Sequence, residues 1–345
     1  MQKDFHYCCI RFLSSAAGFE EEDAQVIAYA CQYVDDATEN KGIRIRNLPD
    51  VARDMVTEGK FEPICTAHRG IQYLSGLSKD VQRKVYIPFH FVPAEPYGGE
   101  KSYDYRVRPN APFPRSLVNS AAEFYREARN DEQKLRGLIK LGISLHAYGD
   151  SWSHRHFSGR WNAGDNDIER IRVWNGDKWE PVTCYNILPD IGHAEALELP
   201  DQTHLTWQYE HDRSGRVIYR HNTEESLHAA ETIYNLLCSI NGLRPDWKSL
   251  MQSVRECFEL PTDSLKKKFD GWKRHFPEVN FSYNPEEWRT DALTGERYDW
   301  EHFMTAEDFG VLEYEATGDL KWFFFHAEAK RQRETVIRQI REDLL

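Results

Sequence analysis

The stretch SLHAYGDSWSHRHFSG, residues 144–159, places His146, Asp150, His154 and His156 within eleven positions. Steps of four advance about 40° around a helix axis, so the first three share one face over two turns. Neutral imidazole and carboxylate are the ligands that zinc and similar ions take in catalytic sites. The spacing predicts a metal site, because charged groups buried on a core-facing helix need partners. His156 reaches that site only if the helix stops at His154.

Further donors lie elsewhere in the chain. His6 falls in the first turn of a predicted N-terminal helix, beside Asp4. Asp35 and Asp36 end a second predicted helix, where acids oppose the dipole and ask for a compensating cation. His90 sits between two phenylalanines in PFHF, and His68 in TAHRG competes with it. His193 and Glu195 lie in the turn-like stretch DIGHAEALELPD, with Glu195, Glu198 and Asp201 as candidate acid partners of His193. Each of these taken singly also reads as a helix end, a core histidine or a loop residue.

The elements that position these groups are mostly helical. Phe5, Cys8, Cys9, Phe12, Leu13 and Ala16 follow helical spacing up to Gly18. EEEDAQVIAYACQYVDDA repeats the pattern with Val26, Ile27, Ala30 and Val34 on one face. VYIPFHFVP, residues 85–93, holds two prolines and reads as an extended buried segment. Residues 94–116 read as a long loop and 117–129 as a helix. A helix over 131–157, with a core of Leu135, Leu138, Ile139, Leu141, Ile143 and Leu145, carries the histidine motif. Two hairpins follow, 171–182 around an Asn-Gly turn and 206–220 turning at 212–215. Thr223 caps a helix to about 241, and 245–320 read as irregular with short helices. The last helix, HAEAKRQRETVIRQIREDLL, has sparse apolar positions and reads as solvated. The expected fold is mainly α, a helical bundle with small inserted β-hairpins. Residues 1–241 form the metal-binding domain, with hairpin insertions at about 169–221, and 242–345 a C-terminal extension packed on it.

Composition narrows the function. The chain has 345 residues, 40% hydrophobic and 13% aromatic, enough for a folded core. Its 44 basic and 56 acidic residues leave −12, which disfavours strong binding to duplex nucleic acid and favours a small soluble substrate. No run approaches the roughly 20 apolar residues of a membrane span. MQKDFHYCCIRFLSS shows no leader, so a cytoplasmic protein is expected. The seven cysteines are scattered without a CxxC pair and read as small buried side chains. GxSxG, Walker and GxGxxG sequences are absent. The sequence specifies no oligomeric state.

HxxxDxxxH, or HxxxDxxxxxH counted to His156, on a long helix resembles the signature of zinc-dependent phospholipase C and the related single-strand-specific zinc nucleases. His6, Asp35 or Asp36, His90 in HFVP, His146, Asp150, His154 or His156, and His193 in IGHAE follow the ligand order of those enzymes over residues 6–195. The chain also resembles an uncharacterised bacterial family with DFH at the start, QYVDDA, PFHF and a histidine-rich HxxxD helix. The resemblance implies an all-α metal-dependent phosphoesterase with two or three Zn2+ ions, or other divalent metals. It implies that water is activated at the cluster, Asp150 bridges two ions, and Asp35 or Asp36 binds an ion or orients the water. It also implies an acidic partner for His193 among Glu195, Glu198 and Asp201, with Glu195 nearest in sequence. The resembling enzymes also use the α-amino group of a mature N-terminal Trp. With Met1 ahead of His6, that ligand is expected to be missing, with Asp4 as its substitute. Tyr148, Trp152, Phe157 and Trp161 read first as core packing and second as a wall for an apolar tail or a base. Two other classes use the same residues: a non-catalytic binding or structural protein with a retained metal site, and an iron-dependent oxidative enzyme.

Overall fold

Residues 1–68, 78–182, 191–211, 215–297 and 313–341 are described in a computed structural model of the chain. Helix α1 is a π-helical stretch, Asp4–Cys9, running without a break into Ile10–Ala16. Helix α2 covers Glu21–Asp36, and the acids of its first turn complement the positive end of its dipole. Strand β1 is Arg44–Arg46, and β2 (Val56–Thr57) pairs with β3 (Lys60–Phe61). Helix α3 is a chain of short helical pieces, Lys79–Val81, Gln82–Tyr86 and Ile87–Phe89. Helices α4 (Pro112–Arg126), α5 (Asp131–Ser153) and the short α6 (Ala163–Asn166) follow. Strands β4 (Ile168–Trp174), β5 (Trp179–Pro181), β6 (Thr206–His211) and β7 (Val217–His221) lead into helix α7, Asn222–Ile240. Helices α8 (Trp247–Phe258), α9 (Leu265–His275) and α10 (Glu287–Ala292) precede β8 (Leu293–Arg297), β9 (Glu313–Ala316) and helix α11, Lys321–Arg338.

Helix α5 is the axis of the molecule. Asn130 caps it, its side chain accepting the Gln133 N–H at 2.8 Å. From Leu141 to Ser153 every residue is buried, the polar Ser144, His146, Asp150, Ser151 and Ser153 included. A helix apolar on one face only would leave these to water; here α2, α4, α7 and α11 surround it. Gly142 lets α2 come close. A Cβ there would lie 2.4 Å from the Ile27 carbonyl oxygen and 2.6 Å from Ala30 Cβ.

The expectation of a mainly α bundle with small inserted hairpins is corrected. About 52% of the chain is helical and 12% is strand, in three sheets of two to four strands, a mixed α/β fold. The two predicted hairpins are not separate insertions. β4 pairs antiparallel with β6, joining them into one sheet of order β5-β4-β6-β7. Its inner face, with Ile168, Ile171, Trp207 and Tyr209, packs on Phe91, Val107 and Phe157. β1 pairs parallel with β9, Ile45 opposite Tyr314. Local periodicity cannot reveal a pairing between such distant segments.

Three local readings change as well. Residues 82–89 are helical where the prolines suggested an extended strand; Pro88 falls just after the junction of the π-helical Gln82–Tyr86 with Ile87–Phe89. The last helix begins earlier, at Lys321, and Trp322, Phe323, Phe324 and Phe325 bury its first turn. Its Glu328 is buried against Arg136 at 2.9 Å. Among the described residues of 245–320 there are three helices, and Val254, Phe258, Trp272 and Phe281 share one core with α1, α5 and α7. The turn at 212–214, Cys184 and the last four residues lie outside the described residues.

Gly142→Ala tests the central contact. The added methyl pushes α2 off α5 and lowers stability by about 1–3 kcal/mol. Urea unfolding reads this as a lower midpoint at unchanged slope.

Candidate metal centre

Helix α5 presents His146 and Asp150 on its buried face, and His154 stands at its C-cap. The helix stops there because the buried Arg220 guanidinium donates to the carbonyls of Trp152 at 3.2 Å and Ser153 at 2.9 Å. The reversal leaves His156 at φ +78, with its N–H donating to the Val107 carbonyl at 3.0 Å. Its ring does not join the other histidines. Burial, followed by Arg155 and Arg220, pushes its pKa down to about 4.

Asp150 gathers four of the remaining groups. Its Oδ2 lies 3.2 Å from both His90 Nδ1 and His146 Nε2. Its Oδ1 lies 3.0 Å from His6 Nε2 and 2.5 Å from the Met1 α-amino nitrogen. The His6 ring stacks on His146 at 3.9 Å. Asp35 Oδ1 stands 3.6 Å from His146 Nε2 and 3.9 Å from His90 Nδ1. A second carboxylate, Asp201, lies 2.9 Å from the same amine and 3.1 Å from His154 Nε2 through Oδ1, and 3.4 Å from His193 Nε2 through Oδ2.

Four of these rings have one nitrogen committed to a backbone carbonyl. His146 Nδ1–H donates to Cys31 O at 2.8 Å, and His154 Nδ1–H to His90 O at 2.9 Å. His90 Nε2–H donates to Thr66 O at 2.9 Å, and His193 Nδ1–H to Leu197 O at 2.8 Å. A carbonyl only accepts, so each of these nitrogens carries the proton. In the neutral ring the other nitrogen then bears a lone pair, and each points at Asp150 or Asp201. A lone pair facing a carboxylate at such distances repels it unless a proton or a cation lies between. Metal-ligating histidines are oriented by the same kind of outer hydrogen bond.

Three groups in the cluster each bring ligand atoms within 4.8 Å of one another: Asp35, His90 and His146; His154, His193 and Asp201; and His6, Cys31 and His146. Tetrahedral ligands about 2.1 Å from zinc sit about 3.4 Å apart. The separations in the first two groups bracket that value, so the donors fit the ion by spacing as well as by type.

The electrostatics reflect crowding of opposite charges. Burial would raise the Asp150 carboxyl, but His154, the Met1 ammonium, His146 and His6 hold it well below the usual range. Asp201 is likewise held down against burial by the amine, His193 and His154. Burial works against the Met1 ammonium, yet Asp150, Asp201 and Asp35 raise its pKa to about 11. His6 falls to about 4 through burial and the neighbouring His146 and amine. His193 also falls to about 4, through burial that outweighs Asp201. His90 is raised, its bond to Asp150 overcoming burial.

Several expected residues stand elsewhere. Asp36 turns away from the centre, accepting from the Tyr283 hydroxyl at 2.5 Å, with Lys3 Nζ 3.6 Å away. Glu195 accepts the Ile168 N–H at 2.9 Å and anchors β4. Asp4 pairs with Lys268 at 2.8 Å, and the amine that it was expected to replace is itself at the centre. His68 packs edge-on to Tyr86 and is in none of the three groups. Tyr148, Trp152 and Phe157 are buried in the core, whereas Trp161 is exposed. Sequence reasoning missed Met1 and Cys31. Nothing in the spacing marks Cys31, while every chain start carries an amine.

A family of unknown function, DUF6765, matches residues 1–340. The chain belongs to this family. No curated protein and no solved structure matches it. Among the described residues, no helix is long and apolar enough to cross a membrane.

The pKa shifts predict a bell-shaped stability profile for metal-free protein. His6 and His193 are depressed from 6.5 to about 4, so the unfolded chain binds more protons than the folded one in between. Stability therefore falls as pH drops from 6.5 to 4. The Met1 amine is raised from 8.0 to about 11, so stability falls again as pH climbs from 8 to 11. Thermal midpoints of chelated protein across pH 4 to 10 check both limbs.

Proposed function

We propose that the chain is a metal-dependent phosphoesterase whose centre holds two or three divalent ions of the zinc type. The observation that carries this reading is the convergence of four carbonyl-fixed imidazoles on two carboxylates, Asp150 buried and Asp201 partly so. Such a pattern suits a cation better than a solvated polar cluster. The ligand order that resembles zinc-dependent phospholipase C and the zinc nucleases supports the same reading, and the Met1 amine beside Asp150 and Asp201 adds a donor to it.

Hydrolysis is favoured over a purely structural ion because one side of the centre reaches water. The side chains of Asp35, His193 and Asp201 are 28, 19 and 17% exposed, while Asp150 and His146 are closed off. Structural zinc sites are closed; catalytic ones keep an open position. Ions held there supply Lewis acidity, drawing charge from a phosphoryl group and making water acidic enough to ionise near neutral pH.

The chain's own residues set the geometry. Asp150, with its two oxygens turned to different donor groups, fixes the distance between them. The backbone carbonyls hold the imidazoles in the tautomers that face the centre. Asp35, the partly exposed carboxylate, is placed to orient a water or to take its proton; Asp36, engaged with Tyr283 and Lys3, is not. The −12 charge of the chain favours a small phosphorylated substrate over a polyanion.

Protein purified without chelator is expected to carry two or three zinc ions per chain by elemental analysis. It is expected to hydrolyse bis(p-nitrophenyl) phosphate, and chelation should abolish this. His146→Ala and Asp150→Ala should lose metal and hydrolysis together. A single retained ion with no hydrolysis of any phosphate ester would return the centre to a structural role.

A further inference from the structure

We propose that Lys268 is a positioning residue for the metal centre, its ammonium tying together the two segments that carry Met1, His6 and Asp201; the inference rests on the metal-site reading above. Lys268 comes from α9, far in sequence from every candidate ligand, and is fully buried. Its Nζ donates to Asp4 Oδ2 at 2.8 Å and to Thr203 Oγ1 at 3.3 Å, and lies 3.5 Å from Gln2 Oε1. The Thr203 hydroxyl also meets Asp4 Oδ2 at 3.0 Å. An ammonium has three protons to donate, and three acceptors from two separate segments meet it here.

Both segments are ligand carriers. Gln2 and Asp4 lie between Met1 and His6, and Thr203 lies two residues after Asp201. A backbone bond closes the link, the Gln2 N–H donating to the Asp201 carbonyl at 3.3 Å. The N-terminal amine and Asp201 are thus brought together by contacts of residues that are not themselves candidate ligands. A buried ion pair is a weak source of stability, since desolvation offsets much of its attraction. What this pair supplies is registration of one segment against the other.

The test uses the full chain with Lys268→Met, Lys268→Arg and the double variant Asp4→Asn/Lys268→Met, which leaves no unpaired buried charge. Two quantities are read on protein shown to be folded by circular dichroism. The first is the rate of reductive methylation of the Met1 amine in chelated protein, followed by mass spectrometry of the N-terminal peptide. The second is zinc affinity by competition with a chromophoric chelator. The expectation is that wild type protects its amine and that Lys268→Met and the double variant are methylated at least about tenfold faster. Zinc affinity should fall by about tenfold or more, as the two ligand-carrying segments lose their registration. Lys268→Arg should recover part of both. Wild-type protection and wild-type zinc affinity in the folded double variant would overturn the proposal, as would free methylation of Met1 in the wild type. If wild type takes up no zinc, the metal reading fails, and the methylation comparison still decides whether Lys268 holds the N-terminus.

Discussion

The rest of the structure depends on a carboxylate buried at the centre of the molecule. Asp150 sits on a stretch of helix, residues 141–153, in which every residue is buried, and an isolated charge there would be prohibitive. It is tolerated because the Met1 ammonium lies against it and the rings of His6, His90 and His146 crowd round it, where a proton or a cation lies between ring and carboxylate. The same requirement repeats at Asp201, which shares the Met1 amine and faces His154 and His193. Packing in this region therefore serves to hold polar groups in place as much as to bury apolar surface.

The way the histidines are held ties the centre to the fold. Cys31 O belongs to the last turns of α2, Thr66 O to the segment after β3, His90 O to the end of α3, and Leu197 O to the turn before β6. Each carbonyl fixes one ring, so the tautomers are set when these elements dock and not by the ligands themselves. Gly142 matters for the same reason: α2 must approach α5 closely before Cys31 O can reach His146. Arg220 does the corresponding work at the other end, closing α5 so that His154 turns toward Asp201.

Much of this was legible in the sequence where the signal is local. The i, i+4 spacing of His146, Asp150 and His154 placed all three on one face, and the acids at the end of α2 asked for a cation that Asp36 finds. Asp36 finds it in Lys3, which no periodicity points to. His156 was ambiguous because its position depends on where α5 stops, and that is decided by Arg220, 64 residues after it. The sheets were the larger error. A hairpin announces its own turn, but the β4–β6 junction and the parallel β1–β9 pair are long-range choices with no local mark. The last helix was misread because Trp322–Phe325 stand ahead of the charged run that dominates its composition.

Charge balance bears on what the centre can take in. Asp35, Asp150 and Asp201 contribute three negative charges and the Met1 ammonium one positive, leaving −2 with the imidazoles counted as neutral. If two divalent ions were held there with the amine as a neutral donor, the sum would be −3 plus 4, a centre with one net positive charge; a third ion would raise it to three. On the proposed reading, then, a strongly negative protein carries a local positive focus that opens beside Asp35 and His193. Long-range repulsion by the surface acts on every phosphate of an approaching polymer, whereas the attraction at the centre acts on one. That asymmetry favours a ligand with a single phosphoryl group and little charge elsewhere.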